Sequence, residues 1–271
     1  MARVTRFAPS PTGPLHLGHA YAALVAIERG DHCLLRIEDI DTARCKPEWE
    51  FRIMEDLQWL GLRFEPNVLR QSTRQSAYDA ALGQLQSLGL TYHCTCTRAT
   101  IGADIRAALA APQEGTSGPI YPGTCRDAGH ETGALRLNLT RAASRLGDLS
   151  FIETGTKSAT YRFNPAQLIQ SIGDVILSRR DIGVAYHLAV VVDDAAQGIT
   201  EVTRGEDLFA ATPLHVALQR LLDLPTPAYH HHRLIRDEAG RRLAKRDDAR
   251  ALAKYRADGL SPGDIRRKIG L

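Results

Sequence analysis

The chain has 271 residues, 44% of them hydrophobic, and a formal net charge of +3 at pH 7. That length suits one large α/β domain, or one domain carrying a smaller insertion, and the charge alone permits a nucleic-acid partner without demanding one. The opening MARVTRFAPS lacks the apolar core of a signal peptide, and no stretch approaches the ~20 apolar residues of a membrane span, so a cytoplasmic location is expected.

In chain order, VTRFAPS predicts a short strand ending in a turn, and Ala20–Glu28 a helix. His32–Asp41 (HCLLRIEDID) predicts a buried strand running into an acidic tip. Glu48–Leu60 has apolar residues at helical spacing (Phe51, Met54, Leu57) and is closed by Gly61, while Ala77–Leu88 predicts a helix ending at Gly89. This alternation argues for a parallel sheet. From Thr91 to about Asn138 the pattern gives way to the loop-rich APQEGTSGPIYPGTC, which reads as an insertion with little core of its own. Sheet signals return over Ala185–Leu208, where LAVVVDD predicts a buried strand reaching Asp193 and Asp194, and a helix, Pro213–Leu222, follows. The triplet His230–His232 would alternate faces if extended, which disfavours a metal site there. A basic stretch, RRLAKRDDAR, precedes a short amphipathic helix, Ala249–Tyr255.

Two local patterns carry chemistry. HLGH places His16 and His19 at the start of a helix, where unpaired backbone N–H groups and a partial positive charge attract phosphate. Gly18 lets a phosphate or base approach the backbone, and two histidines three apart can lie on one side of the first turn. The second pattern is cysteine clustering: of five cysteines, Cys94, Cys96 and Cys125 share one segment, while Cys33 and Cys45 stand apart. In a reducing compartment this suggests metal binding more than disulfides. Tetrahedral zinc wants a fourth ligand, for which His93, Tyr121 and His130 are candidates.

RFAPSPTGPLHLGH resembles the signature of class I aminoacyl-tRNA synthetases, specifically their glutamyl/glutaminyl branch. The resemblance implies a second signature, KMSKS, near the end of the nucleotide-binding fold. RLAKR, within Gly240–Ala249, occupies that place, with Lys245 on the lysine that in the family contacts ATP; Arg242 replaces the first lysine and Ala244 the serine. A lysine on a mobile loop suits the charge that builds on the α-phosphate as pyrophosphate leaves. ATP with magnesium is thus expected at His16, Gly18, His19 and Lys245, with His16, His19 and Lys245 catalytic.

A glutamate site needs a cation for the side-chain carboxylate and an anion for the ammonium, and arginine meets carboxylate in bidentate fashion. Arg6 with Phe7, Ala8, Pro9 and Ser10, then Glu38, Tyr186 and Arg204, match the family's amino-acid pocket in order; which arginine meets which carboxylate stays open. In the glutamyl-queuosine branch of the family the metal pattern is CxC…YxxxC, and Tyr121–Cys125 has that spacing. The resemblance therefore implies one structural zinc on Cys94, Cys96, Tyr121 and Cys125, pinning the insertion.

The expected fold class is α/β, a Rossmann-type parallel sheet with a zinc-containing insertion and a short helical C-terminal segment. Residues 1–90 and 166–235 are read as the two halves of the catalytic domain, 91–165 as the insertion, and 236–271 as the lysine loop and helical end. Too little chain follows the lysine loop for an anticodon-binding domain. The expected function is activation of L-glutamate by ATP and its transfer to queuosine in the anticodon loop of tRNA(Asp), by a monomer with no membrane partner. The alternatives are a truncated glutamyl-tRNA synthetase charging a tRNA 3′ end, a catalytically silent tRNA-binding paralogue, suggested by Arg242 and Ala244, and a small-molecule nucleotidyltransferase sharing only HxGH.

Overall fold

The computed structural model describes residues 2–97, 99–101, 114–115, 118–236 and 250–271. The first third runs β1 (Val4–Phe7), α1 (Leu17–Arg29), β2 (His32–Ile37), α2 (Pro47–Trp59), β3 (Leu69–Arg70) and α3 (Gln75–Ser87). The strands lie parallel in the order β1-β2-β3. Gly61 and Gly89 follow α2 and α3 with φ of 71° and 70°, a left-handed conformation that stops each helix at little steric cost.

The middle contributes β4 (Thr91–Cys94), a small hairpin of β5 (Glu114–Gly115) and β6 (Gly118–Pro119), β7 (Ala134–Leu137), α4 (Leu139–Leu146), β8 (Leu149–Glu153), β9 (Ala159–Phe163) and α5 (Pro165–Ser171). Next come β10 (Ile176–Arg179), β11 (Gly183–Val184), α6 (Tyr186–Ala196), β12 (Glu201–Gly205), α7 (Thr212–Leu221) and β13 (Ala228–His232). Helices α8 (Leu252–Ala257) and α9 (Pro262–Ile269) close the chain. Strands β12, β13 and β8 are parallel neighbours, with β9 antiparallel at the edge. Thr200, just before β12, donates its N–H to Val4 O at 3.0 Å and accepts from Ala228 N–H at 3.0 Å, which brings β1 beside β12. The C-terminal ends of β1 and β12 thereby face the same crevice, where open α/β sheets bind ligands.

The inserted sheet is antiparallel, in the order β11-β10-β7-β4, so it draws strands from both 91–165 and 166–235. Leu135, Leu137, Leu177 and Val184 of this sheet share one buried cluster with Leu85 of α3, Leu188 of α6, Leu214 of α7 and Tyr229 of β13. The insertion is thus packed into the main core rather than standing apart. A second cluster joins Leu24 of α1, Leu35 of β2 and Ile53 of α2 to Leu252, Ile265 and Ile269 of the C-terminal helices. No helix among the described residues is long and apolar enough to cross a membrane.

Two sequence expectations need correction. LAVVVDD is helix α6, not a strand. A continuous apolar run cannot be told from a buried helix by periodicity, and this helix is buried through Leu188–Val191 and again at Asp193 and Asp194. In α2 the helix is present, but Phe51 and Met54 are 66% and 42% exposed, and the buried face is Ile53, Asp56 and Leu57.

Candidate active site

Helix α1 begins with its own histidines as caps. His16 Nδ1 accepts the N–H of Gly18 at 3.1 Å, and His19 Nδ1 accepts the N–H of His16 at 3.1 Å, a reciprocal capping box built from two imidazoles. An imidazole whose Nδ1 accepts a backbone N–H carries its proton on Nε2 when neutral. Each neutral ring therefore carries its N–H on Nε2, at the positive end of the helix dipole. Gly18 has a role that the sequence pattern did not reveal: a Cβ there would lie 3.0 Å from His16 Cε1 and 3.1 Å from its Nδ1, so glycine makes room for the cap.

Lys245, Arg242 and Ala244 lie outside the described residues. Where description resumes, Ala251 bridges antiparallel to His16, and Leu252 N–H donates to Leu15 O at 2.8 Å. The described segment from Arg250 is therefore tied to the start of α1, and buried Leu252 holds it there.

The second part of the site lies across the ends of β1, β2 and β12. Arg6 is buried, with Nε and Nη2 directed at the carboxylate of Asp194 (2.9 and 3.4 Å) and Nη1 at Thr203 O (2.9 Å). Arg36, fully buried in β2, reaches the same carboxylate at 2.6 Å, Gln197 Oε1 at 3.0 Å and Glu38 at 3.2 Å. Burial alone would raise the Asp194 pKa, but the two guanidinium groups hold its carboxyl below the ordinary range. Burial pushes the Glu38 carboxyl up, with Arg36 and Arg6 opposing. Its backbone N–H donates to Pro9 O at 3.0 Å, which seats the RFAPS turn against the acidic tip. Phe7 turns into the core and stacks on Phe64, so it offers the crevice backbone only. Ala8 and Ser10 are partly buried on the same turn.

Tyr186, the first residue of α6, lies within electrostatic reach of Glu38, Arg204, Arg6 and Asp194, and burial raises the pKa of its hydroxyl. The structure thus brings together Arg6 of β1, Glu38 just after β2, Tyr186 of α6 and Arg204 of β12. Arg204 differs from Arg6 in its company. Its Nε, Nη1 and Nη2 go to His231 Nε2 (3.0 Å), His215 Nδ1 (2.8 Å) and Thr212 Oγ1 (2.8 Å), and it joins no ion pair among the described residues. Arg36 and His215 escaped the sequence reading, which named Asp194 only as the end of a predicted strand and His231 only as part of a triplet disfavoured as a metal site. The available signal was charge inside apolar runs, in HCLLRIE and LAVVVDD, because buried charge must be paired.

The cysteine segment forms a cluster apart from the crevice. The sulfurs of Cys94, Cys96 and Cys125 all lie within 4.8 Å of one another, and Tyr121 Oη is 3.5 Å from both Cys94 and Cys96. Arg136 lies over the Tyr121 ring, its guanidinium 3.9 Å from the centroid. Burial pushes the Cys125 thiol up, but hydrogen bonding with Tyr121 and neighbouring groups outweighs it and lowers the thiol to about 6. Three soft thiols and a phenol beside an arginine form a donor set that fits a zinc-sized soft cation. His130 is exposed and bonds Thr95 instead.

Residues 3–271 match the family described as tRNA synthetases class I (E and Q), catalytic domain. The chain is 56% identical, over 285 residues, to a glutamyl-Q tRNA(Asp) synthetase of Rhodobacter capsulatus, covering 99% of this chain and all of that protein. It is 42% identical to one of Nocardia farcinica, covering 96% of this chain and 81% of that protein. Among solved structures, glutamate-tRNA synthetase from Elizabethkingia anophelis superposes with a TM-score of 0.70 at 27% identity. That match covers 91% of this chain but 53% of the other, about half its length. Methionyl-tRNA synthetase of Mycobacterium tuberculosis, 11% identical with a TM-score of 0.60, shares the fold.

Proposed function

The chain belongs to the class I tRNA synthetase (E and Q) catalytic-domain family, a family of ligases, and from that premise we propose that it activates L-glutamate with ATP and transfers it to queuosine in the anticodon loop of tRNA(Asp). The observation that carries the reading to an acidic amino acid is the charge arrangement of the crevice. Arg6 and Arg36 face Asp194 and Glu38, whereas Arg204 joins no ion pair among the described residues. With both carboxylates ionised, these groups leave one positive charge, matching glutamate with its two carboxylates and one ammonium.

In this reading Arg6, the Phe7–Ser10 backbone, Glu38, Tyr186 and Arg204 hold glutamate. His16 and His19, with Gly18 between them and Lys245 from the loop, hold ATP, which enters as its magnesium complex. The α-carboxylate attacks the α-phosphorus and pyrophosphate leaves, giving glutamyl-adenylate. A hydroxyl of the queuosine cyclopentenediol then attacks the activated carbonyl and AMP departs. The two Nε2–H groups and the Lys245 ammonium stabilise charge on the phosphates, and positioning supplies the rest. No covalent nucleophile is required.

Cys94, Cys96, Cys125 and Tyr121 would hold one zinc ion, which supplies a cross-link between β4 and the 121–125 turn. We place the reaction in the cytoplasm and the active species as a monomer. The domain reading stands as proposed: catalytic halves 1–90 and 166–235, insertion 91–165, and lysine loop with helical end 236–271.

The test is pyrophosphate exchange with glutamate and ATP in the absence of tRNA, followed by transfer of labelled glutamate to tRNA(Asp) with and without queuosine. Exchange without tRNA and transfer only to the queuosine form are expected. Transfer that ignores queuosine and is lost when the 3′ end is oxidised would replace this reading with 3′-end charging. No exchange under any condition would favour a silent tRNA-binding protein.

A further inference from the structure

We propose that Glu153 and His231 are positioning residues, which lock the guanidinium of Arg204 in the orientation that receives the substrate carboxylate. The proposal rests on the functional reading above for the identity of the substrate; the lock itself rests on geometry. Arginine only donates hydrogen bonds and keeps its proton. Because Arg204 Nε–H points at His231 Nε2 (3.0 Å), that nitrogen must be the acceptor, and the His231 proton must sit on Nδ1. Nδ1 in turn faces Glu153 Oε2 at 2.5 Å. Thr212 Oγ1, which accepts from Arg204 Nη2 at 2.8 Å, lies 3.3 Å from His231 Nε2 and can donate to the same lone pair.

Glu153 is itself pinned. Its Oε1 accepts two backbone N–H groups, from Gly155 at 2.7 Å and His231 at 2.9 Å. That leaves only Oε2 for the imidazole, so the carboxylate sets the tautomer of a ring that then sets the arginine. A mirror arrangement holds the other side: His215 Nδ1 takes Arg204 Nη1–H at 2.8 Å, which puts the His215 proton on Nε2, 2.9 Å from His187 Nδ1. His187 adjoins Tyr186, which the functional reading places against the same substrate. Burial, with Arg204 adding to it, lowers the pKa of His231 and His187 to about 4, so both rings are neutral acceptors at pH 7.

The physical reason for this design is charge. A carboxylate partner would orient Arg204 equally well, but it would neutralise the group that must attract an anion. Imidazole and hydroxyl acceptors give direction while leaving the +1 charge intact. The negative charge of Glu153 is kept one ring further away.

Glu153→Gln tests the lock. Two backbone donors already occupy the Oε1 position, so the amide oxygen must sit there and the amide nitrogen must face His231 Nδ1. The ring then has to carry its proton on Nε2, opposite the Arg204 Nε–H, donor against donor. Nitrogen-15 spectra of the histidines should show the Nδ1–H tautomer for His231 in the unmodified protein and the Nε2–H tautomer in the variant. In pyrophosphate exchange the KM for glutamate should rise tenfold or more, with the KM for ATP within twofold. Thr212→Val, which removes one acceptor of Arg204 and leaves the Glu153–His231 hydrogen bond in place, should raise the KM for glutamate with the His231 tautomer unchanged, and serves if Glu153→Gln fails to fold. An Nε2–H tautomer in the unmodified protein, or equal rises in both KM values, would overturn the proposal. Failure of the functional reading is separate: the unmodified protein would then show no glutamate-dependent exchange, while the tautomer measurement would still decide the lock.

Discussion

His16 and His19 lie ring against ring at the start of α1, centroids 3.8 Å apart and planes tilted by 37°. Each ring uses Nδ1 on a backbone N–H at the start of α1, so capping the helix also fixes the proton of each neutral ring on Nε2. The pair proposed to bind phosphate is thereby also a stability element, and substitution can separate the two roles.

His19→Asn should do so. The asparagine amide oxygen can replace Nδ1 as the acceptor for His16 N–H, the role an amide or carboxylate oxygen plays at N3 of a capping box. The asparagine NH2 can donate, but it lies nearer the backbone than Nε2 and does not place a donor where Nε2–H stands. Thermal stability should change by less than about 1 kcal/mol, while kcat for pyrophosphate exchange falls roughly 10²-fold, the usual cost of one lost transition-state donor. A variant that unfolds early but keeps its kcat would show that the histidine acts only as a cap.

Asp194→Asn should be among the most damaging single changes. Asp194 is the shared counter-ion of buried Arg6 and Arg36, and its loss leaves two desolvated guanidinium groups facing one neutral amide. Removing one partner of a buried pair costs about 3–5 kcal/mol, which urea unfolding would read directly. A loss below about 1 kcal/mol would mean that Glu38 and Gln197 suffice to hold Arg36.

Stability should fall as the solution is acidified from about pH 6.5 to pH 4. His187 and His231 are lowered to about 4 and His215 well below its ordinary value, by burial first and Arg204 second. In that window the unfolded chain binds protons that the folded chain refuses, so unfolding free energy rises with pH, by up to about 1.4 kcal/mol per pH unit for each histidine. Asp56 works the other way: burial raises it to about 6, so its contribution falls as pH rises from about 4 to 6. Glu38, also raised by burial, acts with Asp56, but burial lowers His230 and His232 as well, so five histidines outweigh two carboxyls. Urea midpoints measured across this range should rise with pH, and His187→Gln should flatten the slope; a level profile would refute the assignment.

The thiol cluster predicts a metal requirement for stability rather than chemistry. The purified protein should carry about one zinc ion per chain by elemental analysis. Cys96→Ser should lose it, lowering the Tm and exposing the 121–125 turn to protease, because a structural zinc site contributes its binding energy to folding. Pyrophosphate exchange by the folded fraction should persist, since the cluster is apart from the crevice. Metal-free protein of unchanged Tm would remove the zinc assignment.

The elements of the first third and α7 could be read locally: α1 carries a cap, α2 and α3 end at glycines, and β1, β2 and α7 are short apolar runs. The misreadings share one cause, tertiary context overriding a local pattern. LAVVVDD has the β-branched content of a strand, yet it folds as α6 because its whole girth is enclosed by α3, α7 and the inserted sheet. Phe51 and Met54 have helical spacing but face outward, because the buried side of α2 includes Asp56, 3.8 Å from Arg256 of α8. A charge on the inner face defeats an apolar-periodicity count.

The candidate site residues could be proposed from sequence, because RFAPS, HLGH, CxC and YxxxC are each short contiguous motifs that need particular side-chain chemistry. What those residues do to one another was decided only by the fold. Arg6 meets Asp194 across 188 residues, and Glu153 reaches His231 across 78. Chain order does not encode such partners, because hydrogen bonds and ion pairs are made between groups that the sheet and its packed helices bring within about 3 Å. The sequence thus determined which chemistry was present, and tertiary packing determined which arginine was neutralised and which kept its charge.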